Sequence, residues 1–414
     1  MAHTGALASQ RLAATFSALR YPNYRRWFVG QALSLIGTWM QSVAQGWLVY
    51  DLTGSKLALG VISFAGTVPS LFLMLPAGAL VDRVPKRKLL IVTQTVMMGT
   101  AFALALLSAT GKVQAWQIAV LAFIGGVAMA FDTPARLSLA ADMVDDRRDL
   151  QNAIALGATM FNLARILGPA IGGIVLASMG ATWCFILNGL SFIAVLIALV
   201  GMRLPPMAPQ TRSRRLASEI AAGLRYVWDA PLARAVISLV GVASVFGFSY
   251  TVLLPAYAAD VLHVGEAGLG MLNTAVGVGA LAGSLVVANM GRSSYKGRFL
   301  TLGSLLFPIG LLGVAATKSY PLALFALGVA GFGFVSQNAT SNTLIQSGVP
   351  DELRGRVMSV YSFMFFGTAP LGSLLAGALA QATGPSIAIA IGASICLAYA
   401  LFIIGRAPVV RRAV

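Results

Sequence analysis

Long apolar runs alternate with short polar segments along almost the whole chain. Most runs have roughly the 20 residues that a helix needs to cross the hydrocarbon core of a bilayer. Only a helix satisfies all of its backbone hydrogen bonds within one crossing, so each run predicts a transmembrane helix. The pattern predicts twelve spans, over residues 27–50, 57–81, 89–109, 113–137, 152–179, 183–202, 233–258, 268–290, 299–316, 321–346, 357–381 and 386–405.

The longest polar stretch lies between the sixth and seventh spans and divides the chain into two halves of six. The predicted organisation is an N-terminal arm (1–26), a six-helix bundle (27–202), a central loop (203–232), a second six-helix bundle (233–405) and a short tail (406–414). The arm lacks the sustained apolar core of a secretory signal, and we expect it to lie on the cytoplasmic membrane surface.

The composition agrees with a membrane protein and argues against an enzyme. Hydrophobic residues make up 58% of the 414 residues, with a mean hydropathy of +0.83, which is more apolar surface than a soluble core of this length hides. No glycine-rich loop followed by Lys-Ser or Lys-Thr is present to bind ATP. The two cysteines lie in apolar spans and the two histidines are far apart, so we expect no disulfide framework, metal site or cofactor.

The formal net charge of +16 raises the question of a nucleic-acid partner. However, 25 of the 29 basic residues fall in the termini and in the loops after even-numbered spans, and only Lys56, Lys112 and Lys318 fall on the opposite side. This bias follows the positive-inside rule and predicts that both termini are cytoplasmic. The charge is thereby explained by membrane topology, so we expect membrane lipid and no nucleic acid as a partner.

The two halves show a weak internal repeat. A shift of about 205 residues places Gly172 over Gly377, and a shift near 210 places Gly60 over Gly270. A parallel duplication of six helices is one way to build alternating access, because two bundles can rock around a central site.

The segment GALVDRVPKRK after the second span carries a resemblance to the major facilitator superfamily, which covers nearly the whole chain. The family motif is glycine, three residues, Asp-Arg, one residue, glycine and then two basic residues, and Pro85 replaces its second glycine here. The matching residues are Gly78, Asp82, Arg83, Lys86 and Arg87. The resemblance implies an all-α integral membrane protein with twelve transmembrane helices in two six-helix pseudo-repeats.

Asp82 lies at the C-terminal end of the second span, where the helix dipole disfavours a carboxylate, so a partner is expected. The resemblance implies that Asp82 meets Arg136 and the start of the eleventh span, and so latches the two bundles together on the cytoplasmic side. The alternative is a solvated loop that obeys the positive-inside rule, which accounts for the basic residues but not for Asp82.

Two charged residues lie well inside predicted spans, away from the span ends. Burying Arg165 in the fifth span costs at least ~2.5–3.5 kcal/mol, so its side chain should face a cavity or a partner. Our hypothesis is that Arg165 and Asp132 of the fourth span form the pair that couples transport to protons. The alternative is a structural pair that fixes the fourth span to the fifth.

The fifth span also resembles the end of the antiporter motif of drug exporters, GPxxGG, although Ala155 and Ala164 stand where that motif has two upstream glycines. The matching residues are Gly168, Pro169, Gly172 and Gly173. Small residues at this spacing also allow close helix packing in any membrane protein.

Further polar and aromatic residues are candidates for lining a substrate cavity, since the resemblance places the first, fourth, seventh and tenth spans around it. These are Trp39, Gln41, Gln45, Ser249, Tyr250, Gln337, Asn338, Ser341 and Asn342. The alternative for each amide is a hydrogen bond between helices. A mixed polar and aromatic lining suits an amphipathic small molecule.

The opening LRYPNYRRWFVGQALSLIGTWMQSVAQGWLVYDLTGS resembles the drug:proton antiporter branch that contains macrolide efflux proteins and the enterobactin exporter. The resemblance implies a monomeric, proton-coupled exporter of a drug, siderophore or similar metabolite in a bacterial inner membrane, driven by the proton gradient without a cofactor. The alternatives are a lysophospholipid flippase and a membrane sensor that does not transport.

Overall fold

The computed structural model describes residues 16–81, 83–144, 146–202, 216–289 and 296–406, which contain helices and no strands. A 3-10 turn at Ser17–Arg20 precedes the first helix. The first six helices are α1 (Pro22–Thr53), α2 (Lys56–Val81), α3 (Lys86–Ala109), α4 (Ala115–Asp142), α5 (Arg147–Met179) and α6 (Ala181–Val200). They are followed by α7 (Leu216–Asp229), α8 (Pro231–Asp260), α9 (Glu266–Asn289), α10 (Lys296–Ala316), α11 (Tyr320–Gly348), α12 (Asp351–Thr383) and α13 (Pro385–Arg406).

Eleven of these helices are long and apolar enough to cross a membrane, which confirms the all-α membrane fold and eleven of the twelve predicted spans. The exception by hydropathy is α1, whose 32 residues would extend ~48 Å along the membrane normal. Three glutamines, Gln31, Gln41 and Gln45, lower its hydropathy. It nevertheless packs along α5 and α6 as a member of the same bundle.

The segment predicted as a central loop contains a helix, α7, whose apolar positions recur every three to four residues. It packs on the first turns of α12, where Gly223 approaches the backbone of Arg356. Residues 203–215 of the predicted loop lie outside the described residues.

Helices α1–α6 pack mainly with one another, and so do α8–α13, while α2 packs against α12 and α5 packs against α9 across the two bundles. Two of the long helices contain a π-helical turn, at Ala243–Gly247 in α8 and at Phe363–Gly367 in α12. In α8 the Phe248 amide donates to the Ala243 carbonyl oxygen at 2.7 Å. Such turns often occur at functional sites within helices.

Glycines make both contacts between the bundles very close. A Cβ atom added at Gly60 of α2 would lie 2.7 Å from the carbonyl oxygen of Ser373 and 3.0 Å from the Cα of Gly377 in α12. A Cβ added at Gly270 of α9 would lie 2.6 Å from the Cα of Gly173 in α5. The contact of Gly60 with Gly377 is therefore equivalent to the contact of Gly270 with Gly173, as the alignment of Gly60 with Gly270 predicts. The shift of 205 residues aligns Gly377 with Gly172, but the residue in contact is its neighbour Gly173.

Candidate functional site

A central cavity of about 610 Å³ lies between the two bundles. Four of the predicted site residues line it, namely Trp39, Gln41 and Gln45 of α1 and Arg165 of α5. Gln41 and Gln45 share one face of α1, because side chains four residues apart lie on the same side of a helix. Apolar and aromatic residues form much of the remaining wall, including Met97, Met129, Phe192, Phe248 and Phe366.

The other predicted cavity residues are not among those that line this space. The Gln337 amide of α11 donates to the Leu239 carbonyl oxygen at 3.3 Å, and Asn342 accepts a hydrogen bond from Gln346 at 2.6 Å. The Tyr361 hydroxyl donates to the Asn338 carbonyl oxygen at 3.0 Å. Of these three side-chain amides, that of Gln337 bonds to another helix, as the alternative of helix–helix hydrogen bonding describes. The bond of Asn342 lies within α11, and Asn338 accepts from Tyr361 through its backbone carbonyl oxygen.

The three remaining candidates are buried in the second bundle. Ser341 is fully buried, and its hydroxyl has no hydrogen-bond partner among the described residues. The Ser249 hydroxyl donates to the Phe246 carbonyl oxygen at 3.4 Å, and the Tyr250 ring lies 6.5 Å from that of Phe307. The π-helical turn that precedes Ser249 changes the helical phase of α8, which presents Phe248 and Thr251 to the cavity instead.

Sequence reasoning missed two lone amides in the wall, Asn188 of α6 and Asn273 of α9. Asn188 donates to the side-chain carbonyl oxygen of Gln41 at 2.6 Å. A single amide within an apolar span was the available signal for each residue, because an unsatisfied amide is costly in a membrane. These two residues place an amide in the wall from α6 in the first bundle and from α9 in the second bundle.

Asp132 is 1% exposed, and the structure shows no ion pair between it and Arg165. Its Oδ1 accepts hydrogen bonds from Thr93 Oγ1 at 3.0 Å and Gln94 Nε2 at 2.8 Å, both on α3. Its Oδ2 lies 3.9 Å from the Nε of Arg136, one turn along α4. The hypothesised ion pair between Asp132 and Arg165 is therefore wrong in this conformation, because the face of α4 that carries Asp132 packs against α3.

Arg165 has a different environment. Its guanidinium carbon lies 5.8 Å from the centroid of the Trp39 ring, a cation–π contact across the α1–α5 interface. Among the described residues, no carboxylate lies within 4 Å of it. It is also the one charged residue in the described lining of the cavity.

Asp82 of the predicted latch lies outside the described residues, so its contact with Arg136 stays a prediction. Of its motif, Gly78 has open space around its Cα, and Arg83 is exposed. Lys86 forms an ion pair with Asp142 at 2.8 Å. The guanidinium of Arg87 donates to two carbonyl oxygens at the end of α6, those of Leu199 (2.6 Å) and Val200 (2.5 Å). The described basic residues of the motif thus fix the start of α3 to other helices of the first bundle.

The glycines of the antiporter-like motif lie at close helix contacts. A Cβ at Gly168 would clash with the side chain of Trp39, and one at Gly172 would lie 3.0 Å from the Cα of Met40, both on α1. The next residue, Gly173, meets α9 as described above. The Pro169 carbonyl oxygen lies 2.7 Å from a Cβ placed at Gly270. These contacts bring α5 close to α1 and α9 beside the cavity.

Polar contacts join the bundles at the end that carries Lys56, Asp260 and Gln381, which we call the closed end. Asp260 accepts a hydrogen bond from the Tyr50 hydroxyl at 2.5 Å and forms an ion pair with Lys56 at 2.7 Å. The Gln381 carbonyl oxygen accepts hydrogen bonds from the Lys56 amide at 2.9 Å and the Ser55 hydroxyl at 3.2 Å. Contacts between Ser63 and Ser373 continue this closure towards the cavity.

At the opposite end, which we call the open end, the N-terminal turn is fixed to α5. Arg20 forms an ion pair with Asp149, and the Tyr21 hydroxyl donates to the same carboxylate at 2.9 Å. Hydrogen bonding with Tyr21 and Asp149 raises the pKa of Arg20 above its ordinary value. The Tyr24 hydroxyl donates to the Ala153 carbonyl oxygen at 2.8 Å. The described part of the arm predicted over residues 1–26 therefore contains the start of α1 and packs within the first bundle.

Comparison with known proteins adds the family context. A family model described as transmembrane secretion effector matches residues 13–412. The multidrug efflux pump Tap of Mycolicibacterium fortuitum is 31% identical over 360 residues, which are 84% of this chain and 87% of that protein. The enterobactin exporter EntS of Citrobacter koseri is 26% identical over 376 residues, with 88% of this chain and 87% of that protein covered.

A similar fold occurs in a crystal structure of a POT family transporter in complex with 5-aminolevulinic acid. The TM-score is 0.74 at 12% sequence identity, over 94% of this chain and 97% of that one. At this level of identity the likeness supports the fold of the two bundles and says nothing about the solute.

Proposed function

We propose that this chain, which belongs to the transmembrane secretion effector family of the major facilitator superfamily, exports an amphipathic small molecule of the drug or siderophore type in exchange for protons. Membership of that family makes the chain a multi-pass membrane transporter and not an enzyme. The observation that carries the proposal is a central cavity between two bundles that are joined at one end.

The size and chemistry of the cavity support an amphipathic solute. Its volume of about 610 Å³ lies within the ~300–1,000 Å³ typical of small-molecule sites. Aromatic and methionine side chains supply apolar surface, while Gln41, Gln45 and Asn273 supply a few polar groups that fix orientation. A small hydrophilic solute would leave most of this wall without a favourable contact.

Alternating access follows from the way the bundles meet. The closed end combines backbone contacts at Gly60 and Gly377 with polar contacts around Asp260, and these exposed or half-exposed polar contacts are individually weak. A rocking motion could therefore separate the bundles there while it brings them together at the open end. The predicted latch at Asp82 and Arg136 would then form at the open end.

Asp132 is the residue that we assign to proton coupling. It is a buried carboxylate held by the neutral donors Thr93 and Gln94, and the Arg136 guanidinium lies at 3.9 Å, beyond hydrogen-bond distance. A change in the packing of α3 against α4 during the transport cycle would alter this set of donors. The carboxylate would thereby accept a proton in one state and release it in the other.

The orientation that fits this function is the one predicted from the basic residues, with both termini cytoplasmic in a bacterial inner membrane. Lys56, Lys112 and Lys318 then face outwards, and the conformation described here is closed to the outside. Each chain contains a complete cavity, so a monomer suffices for transport, with the proton gradient as its energy source.

The test is uptake by inverted membrane vesicles that contain the full chain, with a panel of drugs and siderophores, with and without an imposed pH gradient. The proposal predicts accumulation of at least one solute that collapses when the gradient is dissipated. Asp132→Asn should abolish the gradient-driven accumulation and retain solute binding. Flux that is unaffected by the gradient would overturn proton coupling, and flux of lipid alone would favour a flippase.

A further inference from the structure

The cavity contains one charged residue in its described lining, and no carboxylate among the described residues forms an ion pair with it. Arg165 projects from the middle of α5. The Trp39 indole ring lies beside its guanidinium, and Tyr250 of α8 is close enough to interact with it electrostatically. The carboxylate of Asp132 instead accepts hydrogen bonds from α3 and lies 3.9 Å from the Arg136 guanidinium. The wall around Arg165 is otherwise made of amides, hydroxyls, thioethers and hydrocarbon.

A cation inside a membrane span without a described counter-ion costs free energy, which suggests that Arg165 has a function. Charged residues inside membrane spans generally face a cavity and pair with another group. A ring face stabilises a guanidinium without satisfying its five N–H donors, because the ring offers no acceptor in the plane of the guanidinium. These unsatisfied donors attract an anion or a strong acceptor that enters the cavity.

Neutral residues of α1 add donors to the same cavity. Gln41 accepts a hydrogen bond from Asn188 through its carbonyl oxygen, and its NH2 group has no partner among the described residues. Gln45, one turn along α1, has no described hydrogen bond and lines the cavity. An arginine accompanied by amide N–H groups is the type of donor set that binds carboxylate or phosphate oxygens.

The apolar part of the cavity indicates the rest of the ligand. Phe248 of α8 and Phe366 of α12 line it from the second bundle, and Met97 and Met129 line it from the first. Flat or aliphatic groups pack well on such aromatic and thioether surfaces. The ligand that fits both parts has one anionic end and one apolar end.

We propose that Arg165 recognises an anionic group, a carboxylate or phosphate, on an amphipathic substrate whose apolar part lies between the two bundles. The proposal rests on the proposed transport function and names the substrate class of that same cavity. In this view Arg165 determines specificity rather than proton coupling. Trp39 fixes the guanidinium so that its donors remain available before the substrate enters.

The test uses four ligands on one scaffold, with the purified full chain in nanodiscs. Pyrenebutyrate and pyrenebutyl phosphate carry an anion, pyrenebutanol is neutral and pyrenebutylamine is a cation. Binding is measured by energy transfer from protein tryptophans to pyrene. Wild type should bind each anion at least ~10-fold more tightly than the alcohol, which corresponds to ~1.4 kcal/mol, and should bind the amine most weakly.

The variants separate a charge effect from a folding effect. Arg165→Gln should bring the affinity of the anions to within ~2-fold of the alcohol while the alcohol binds as in wild type, which also reports that the cavity is folded. Arg165→Lys should retain a preference for the anions, because its charge remains. Arg406→Gln, which removes an exposed arginine at the end of α13, is the matched control and should bind all four ligands as wild type does.

Equal affinity of the wild type for the acid, the phosphate and the alcohol would overturn the proposal. The proposal would also fail if Arg165→Gln lowered the affinity for all four ligands by the same factor and left the preference for anions unchanged. Competition by decanoate or by lysophosphatidate then distinguishes a soluble carboxylate from a lipid phosphate as the source of the anion, and either result supports anion recognition. The binding assay needs no proton gradient, so its failure is distinct from a failure of gradient-driven export in vesicles.

Discussion

The contact between Gly60 and Gly377 leads to the prediction that a single methyl group at Gly60 opens the closed end. The added Cβ would lie 2.7 Å from the Ser373 carbonyl oxygen and 3.0 Å from the Gly377 Cα. Favourable non-bonded contacts of carbon lie near ~3.5 Å, so α2 and α12 would have to separate by ~0.5–1 Å. Both clashing atoms belong to backbone, which cannot rotate away.

Overpacking of this kind costs ~1–3 kcal/mol. The cost falls on the conformation in which the bundles touch at this end, because the contact is absent once they separate. Gly60→Ala should therefore shift the equilibrium away from the closed conformation by roughly 5- to 150-fold. A bulkier valine at the same position should give a larger shift.

The assay is the distance distribution between spin labels at Thr53 of α1 and Thr383 of α12, both exposed at the closed end, after replacement of Cys184 and Cys396 by serine. Wild type should show a short-distance population that Gly60→Ala depletes in favour of longer distances. Gly99→Ala on α3 is the matched control, since a Cβ there meets no atom within 4 Å. Identical distributions for wild type and Gly60→Ala, or an equal shift in Gly99→Ala, would refute the reasoning.

Three further predictions concern single residues. Asp260→Asn removes the ion pair between Asp260, which is 33% exposed, and Lys56, which is 20% exposed. The same spin-label pair should therefore report a modest opening of ~1.4- to 5-fold, as expected for ~0.2–1 kcal/mol. An opening as large as that of Gly60→Ala would contradict this ranking. Asp132→Leu should lower the free energy of unfolding by ~1–3 kcal/mol, because Thr93 and Gln94 lose a buried acceptor. Asp132→Asn should lower the free energy of unfolding by less in the same thermal unfolding measurement. Equal losses for the two variants would argue against the described bonds. Arg87→Met removes two hydrogen bonds to the end of α6 and should speed hydrogen exchange in residues 197–202, and unchanged exchange would show that these bonds do not fix that end.

The membrane fold could be predicted from hydropathy because each span must hide its own backbone polar groups, which leaves a long apolar run in the sequence. The start of α1 at Pro22 and the helix α7 were missed for the same reason. Both segments contain charged or polar residues that interrupt the apolar pattern, although Pro22 at the first helical position is a known start signal.

The partners of charged residues were harder to predict than the helices that carry them. Asp132 and Arg165 were both recognised as exceptional, but the direction in which each points depends on how its helix is rotated about its axis. That rotation is set by packing, for example by the close approach of Gly168 to Trp39. The π-helical turn in α8 likewise replaces Ser249 and Tyr250 by Phe248 and Thr251 in the cavity, and no residue pattern before it signals the extra residue in that turn.

Alternating access is tested most directly by measuring distances at both ends of the same molecule during transport. One pair of spin labels reports the closed end, at Thr53 and Thr383, and a second pair reports the open end, at Ala141 of α4 and Glu352 of α12. The account predicts that an imposed pH gradient and a transported solute lengthen the first distance and shorten the second in equal proportions of molecules. Transport that proceeds while the distance at the closed end never changes would contradict it.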